Sequence, residues 1–243
     1  MIAHPDDVQA AIAEGSAARA AAKEVLSLPD ARFAIVEASY ADERLGAHAG
    51  GQYPIYRWVF QNGPDRRSLR PPAYVLRHEI GHGLFTRYLV PSTRSGQYGG
   101  DAPDWLDEMA AIAFEAEPQT SSRHRLAAIY AGSSRLIPLQ RLLAMAHPEL
   151  AGRMPLPSHD ETVRMMQPAS DETLPFYVTV RAFYDFLVDR TGSRAIVAEL
   201  AAAFRRGEQL EHWVISRTGY GDLDALNADF MTWVASDERF AFP

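Results

Sequence analysis

The sequence predicts an α+β fold: a small β-containing N-terminal lobe followed by a larger, mainly helical body. Three observations carry that prediction. Before residue 62 there are two short runs rich in β-branched and aromatic residues. From residue 73 onward, apolar residues recur at helical spacing between prolines. The chain's 243 residues, at 47% hydrophobic and 23% charged, suit one ordinary globular domain with its own core. We therefore read 1–243 as a single domain, with the β-containing part at 30–70 and the helical body at 71–236.

The elements follow in order. Residues 7–28 predict a helix whose larger apolar groups are Val8, Ile12, Val25 and Leu26. Its apolar face is weak, so it should lie on the surface of something larger. Strands are predicted at 32–39 and 53–61, separated by a glycine-containing stretch at 46–51. Pro54 cannot donate to a ladder, which makes the second an edge strand. Pro71-Pro72 suit a first helical turn, and a helix is predicted over 73–89, ended by Pro91. A loop of Ser, Thr and Gly spans 91–102, and a second helix runs from 103 to about 117, where Pro118 stops it. Shorter helices are predicted at 123–131 and 138–146, and the proline-punctuated stretch 147–175 should be mostly loop. Helices at 174–191, 193–206, 208–216 and 223–236 complete the body.

Composition excludes several chemistries. The chain has no cysteine, which removes disulfides, iron–sulfur clusters and cysteine nucleophiles, so any metal must be held by His, Asp or Glu. A formal charge of −7 argues against a nucleic-acid partner, and the pairs Arg66-Arg67 and Arg205-Arg206 read as solvated surface charge. No apolar run reaches the length of a membrane span. Met1 to Leu28 lacks the apolar centre of a secretory signal, which fits cytoplasmic residence, or periplasmic or secreted residence if a signal has been trimmed. There is no G-x-S-x-G elbow, phosphate-cradling glycine loop or dinucleotide fingerprint. Oligomeric state leaves no mark in the sequence.

The informative string is His78-Glu79-Ile80-Gly81-His82, the pattern HExxH, inside the helix after Pro72. Residues four apart lie one above the other on a helix, so two imidazoles at this spacing can reach one Zn²⁺ at about 2.0–2.1 Å each. Glu79, beside the first of them, stands where a general base must be to take a proton from a metal-bound water. Gly81 lets a neighbouring element come close. A helix whose histidines are merely packed or solvated would carry the same string, so a third ligand has to give it weight. Glu108 offers one, near the start of the next predicted helix in Asp104-Trp105-Leu106-Asp107-Glu108-Met109-Ala110-Ala111. Two His and one Glu with an open fourth position form a known catalytic zinc set. Trp105, Leu106 and Met109 should pack this helix against the first. Asp104, Asp107 and Glu115 are alternative carboxylates: Asp104 suits a first helical turn, and Glu115 could hydrogen-bond a ligating histidine from behind. His124, His147, His159 and His212 show no ligand-like spacing and read as solvated or packed.

HEIGH followed by DWLDEMAA resembles the gluzincin zinc metallopeptidases, and the later residues Tyr177, Phe183, Phe186-Leu187 and Gly192 resemble the helix after the site in bacterial peptidase-MA-like proteins. The resemblance covers roughly residues 30–236, with sharp motifs at 78–82 and 104–111. It implies a zincin-like fold, Zn²⁺ held by His78, His82 and Glu108, Glu79 as catalytic base, and peptide or protein substrates. Met109 departs from the family, which usually has glycine there. The resemblance also points to Tyr177 as a donor to the oxyanion, with Tyr184 on the same helix as its competitor. The strand at 53–61 is expected along the cleft, where an extended peptide could pair with its edge. The alternative from another class is a non-catalytic binding protein on the same scaffold, with a structural or vestigial metal site.

Overall fold

The N-terminal alanine run becomes α1 (Pro5–Val25), where high helix propensity substitutes for a strong apolar face. Its outer part stays exposed at Val8 and Ile12, while Ala18, Ala22, Val25 and Leu26 are buried. The computed structural model describes residues 5–37, 53–58, 73–93, 100–148, 171–236 and 240. Within these the fold is α+β, with helices predominating over a two-stranded sheet. The predicted strands at 32–39 and 53–61 are represented by β1 (Ala34–Glu37) and β2 (Ile55–Trp58), and residues 38–39 and 59–61 lie outside the described residues. The strands pair in parallel, Ala34 opposite Ile55 through Glu37 opposite Trp58. Parallel neighbours cannot be joined by a tight hairpin.

The helical body begins with α2 (Ala73–Leu84), whose Leu76, Ile80 and Leu84 form a buried stripe at helical spacing. The predicted helix over 73–89 does not stay α-helical to its end. From Phe85 to Leu89 it widens into a π-helical turn, closed by the Val90 N–H donating to the Phe85 carbonyl at 3.0 Å. The wider turn shifts the face, so that the adjacent Leu84 and Phe85 are both buried. Next comes α3 (Asp104–Ile112), buried from Trp105 through Ile112. It is shorter than the predicted 103–117. After Ile112 the chain tightens, with Phe114 and Glu115 donating to the carbonyls three residues back.

The remaining helices are α4 (Gln119–Gly132), the single turn α5 (Leu139–Leu142), α6 (Thr173–Thr191), α7 (Ile196–Arg205), α8 (Leu210–Thr218) and α9 (Leu223–Ser236). α4 begins four residues earlier than predicted, and α5 is much shorter than the predicted 138–146. Of the predicted loop at 147–175, residues 149–170 lie outside the described residues. α6 packs on α3 and α4, and Gly192 ends it in the left-handed conformation at φ 68°. One cluster of buried apolar side chains runs from Ala18 on α1 to Phe240. Among the described residues, no helix is long and apolar enough to cross a membrane.

Two close approaches position the site. A Cβ at Gly81 would meet the Ala111 Cα at 2.7 Å and the Ala110 carbonyl oxygen at 3.0 Å, so α3 lies directly on this face of α2. A Cβ at Gly83 would meet the Tyr56 hydroxyl at 2.0 Å, and that hydroxyl donates to the Ile80 carbonyl at 3.2 Å. The missing side chain at Gly83 therefore makes room for β2's Tyr56 on α2.

Candidate metal centre

α2 and α3 bring His78, His82 and Glu108 together. Each offers one ligand atom, and these atoms all lie within 4.8 Å of one another. His78 Nε2 and His82 Nε2 are 3.2 Å apart; Glu108 Oε1 lies 3.2 Å from His82 Nε2, and Oε2 lies 3.5 Å from His78 Nε2. Edges of this length suit a tetrahedron of atoms about 2.0–2.1 Å from a shared centre.

Both imidazoles are held from behind by carboxylates. His78 Nδ1 lies 3.0 Å from Glu115 Oε1, and His82 Nδ1 lies 3.2 Å from Asp107 Oδ1. Glu115 is hydrogen-bonded to the His78 Nδ1, and Asp107 lies beside the His82 Nδ1; a carboxylate there favours the ring proton at Nδ1 and leaves the Nε2 lone pair for the opposite side. Three ligand atoms then converge on one point, an arrangement that could hold a cation between them. The donor set, two imidazoles and a carboxylate, suits a borderline divalent ion, and the residues fit such a group.

The charges show the same demand. Burial alone would push the His82 imidazole down, but the Glu108 carboxylate outweighs it and holds His82 well above its ordinary value. Burial would push Glu108 up, and the His82 and His147 rings hold it well below the carboxylate range instead. Glu115 is also lowered: burial opposes, and the Arg123 guanidinium prevails. Arg123 clamps both Glu115 oxygens, Nε to Oε2 at 2.6 Å and Nη2 to Oε1 at 2.5 Å.

Tyr177 of α6 lies at this centre. Its ring packs beneath the Arg123 guanidinium at 5.0 Å and edge-on to His78 at 6.2 Å. Tyr184 lies two turns further along α6, buried, with its hydroxyl 3.5 Å from the Arg194 carbonyl. Glu79 is exposed, and its carboxylate adds to the burial that pushes the Tyr56 phenol up. Met109, at the position where the sequence departs from the gluzincin pattern, is wholly buried in the core together with Trp105 and Leu106.

His147 is packed, as predicted, and its Nε2 lies 3.2 Å from Glu108 Oε1. Nothing in the local sequence marked it, because it stands 39 residues after Glu108 and only tertiary packing brings them together. Of the other histidines, His124 is packed against Asp185 at 2.9 Å, His212 is exposed, and His159 lies outside the described residues. Asp104 opens α3 and also accepts the His147 backbone N–H at 2.7 Å. Compared with protein-family models, curated proteins and solved structures, the chain matches none.

Proposed function

We propose that the chain is a zinc-dependent peptidase of gluzincin type with a zincin-like fold. The observation that carries the reading is the convergence of His78 Nε2, His82 Nε2 and the Glu108 carboxylate, with Glu115 and Asp107 behind the two rings. Zinc held by these three residues would supply Lewis acidity, polarising a scissile carbonyl and lowering the pKa of water to about 7. Glu79, the neighbour of His78 and exposed to solvent, takes the proton from the attacking water. The water oxygen bonds to the carbonyl carbon, the C–N bond breaks, and Glu79 passes the proton to the leaving amine. Tyr177 donates its hydroxyl hydrogen bond to the developing oxyanion. β2 packs through Tyr56 on the helix that carries both histidines, which favours an extended peptide as the substrate.

The test is zinc content together with peptide hydrolysis in the wild type, Glu79→Gln and Glu108→Ala. We expect about one zinc per chain in the wild type and in Glu79→Gln, with weakened retention in Glu108→Ala. Hydrolysis should fall by at least about 100-fold in Glu79→Gln. Failure of the wild type to take up zinc would sink the reading. Zinc uptake with the same rate in wild type and Glu79→Gln would point instead to a metal-holding binding protein.

A further inference from the structure

We infer that His147 is a positioning residue for the metal centre: with its Nε2 3.2 Å from Glu108 Oε1, it is placed to turn a ring N–H onto the carboxylate that completes the ligand set and to fix it when metal is bound. The inference rests on the metal-binding reading above and assigns a residue that the motif does not contain.

The argument starts from Glu108, which is 0% exposed. A carboxylate taken wholly out of water needs donors or positive charge at its oxygens. Three imidazoles surround it: His78 at 3.5 Å, His82 at 3.2 Å and His147 at 3.2 Å, each measured from Nε2. A metal ion uses the Nε2 lone pairs of His78 and His82, and the carboxylates beside their Nδ1 atoms, Glu115 at 3.0 Å and Asp107 at 3.2 Å, favour the ring protons there. Neither ring can then donate from Nε2 to Glu108. His147 is not one of the three residues whose ligand atoms converge, so its Nε2, 3.2 Å from Glu108 Oε1, can keep a proton and, turned onto that oxygen, hold Glu108 in the loaded state.

Its surroundings suit a fixed donor. The His147 side chain is 1% exposed, packed edge-on against Phe176 at 5.2 Å and Tyr177 at 5.6 Å. Its backbone N–H donates to Asp104 Oδ2 at 2.7 Å. Asp104 stands one helical turn before Glu108 on α3, so the helix that carries the ligand also anchors the residue that orients it.

Three variants and one spectrum test this. His147→Gln keeps an amide donor near the Nε2 position, whereas His147→Phe and His147→Leu keep the apolar packing and lose the donor. We measure zinc affinity by chelator competition, with circular dichroism as the control for folding. His147→Gln should stay within about threefold of the wild type, and the two apolar variants should lose about 10- to 100-fold. Unchanged affinity in a folded His147→Phe or His147→Leu would overturn the inference while leaving the zinc reading intact. A wild type that binds no zinc would overturn both. Nitrogen NMR of the wild-type protein loaded with cadmium-113 gives a readout independent of any variant. Coupling should reach the rings of His78 and His82 only, with a proton retained on His147 Nε2. Coupling to His147 would make it a ligand and overturn its positioning role.

Discussion

Gly81 is where the fold and the proposed metal centre depend on the same few atoms. Gly81→Ala adds one methyl group, and two opposing effects follow. In an exposed helix interior, alanine would stabilise by about 1 kcal/mol through propensity. Here the new Cβ would stand 2.7 Å from the Ala111 Cα, 3.0 Å from the Ala110 oxygen and 3.3 Å from Phe114 Cδ2. Carbon contacts settle near 3.5–4.0 Å, so α2 and α3 must part by roughly 0.8 Å. Two of the three obstructing atoms are backbone and cannot swing aside as a flexible side chain would. Overpacking of this kind costs about 1–3 kcal/mol, and with a backbone obstruction the upper part of that range applies. The net loss is about 1–2 kcal/mol, a fall in Tm of about 2–8 °C for a domain of this size. The same displacement moves Glu108 relative to His78 and His82 by several times the roughly 0.2 Å that metal–ligand distances tolerate. Zinc affinity should therefore drop about 10- to 100-fold. Thermal melts of the metal-free protein and chelator competition measure the two effects separately. A variant that melts at or above the wild type and holds zinc equally well would refute the view that this close approach positions the ligand.

Two further predictions concern α6. Tyr177→Phe retains the ring against Arg123, so zinc content should be unchanged while kcat falls about 10²- to 10³-fold. Equal turnover would remove the oxyanion role from Tyr177. Asp185 is buried beside His124 at 2.9 Å and is bonded to Arg181 Nε and Nη2, each at 2.8 Å. Burial pushes this carboxyl up, but His124 and Arg181 together hold it below its ordinary value. Its contribution is therefore fully present above the ordinary value of about 3.9 and is lost as pH falls through the depressed one. Asp185→Asn should flatten this part of the acid limb in denaturant titrations and cost about 3 kcal/mol at neutral pH. Identical acid limbs in the two proteins would contradict the assignment.

The helical body and the convergence of His78, His82 and Glu108 were legible in the sequence because both rest on local rules. Helical spacing puts His78 and His82 on one face, the next helical segment supplies Glu108, and a chain without cysteine has only His, Asp and Glu as strong metal ligands. Glu115 was legible as a possible partner of a ligating histidine, and it stands at His78 Nδ1. Gly81 was legible as a point of close approach, although not which atoms would fill it.

Other features depended on packing between segments far apart in the chain. α3 ends at Ile112 in a tight turn, and Glu115 just beyond it stands at His78 Nδ1, a contact no propensity expresses. The parallel pairing of β1 and β2 is a tertiary choice, because alternating side chains describe only the two faces of each strand. His147 is the sharpest case. Taken alone it is one histidine before a proline, and it becomes part of the centre because α3 and α6 enclose it beside Glu108. The sequence by itself determined which side chains can ligate a metal and that two of them share a helical face. Only the tertiary structure decided what stands behind those ligands, because buried charge must be satisfied by groups that the folded chain, not the neighbouring residues, brings within reach.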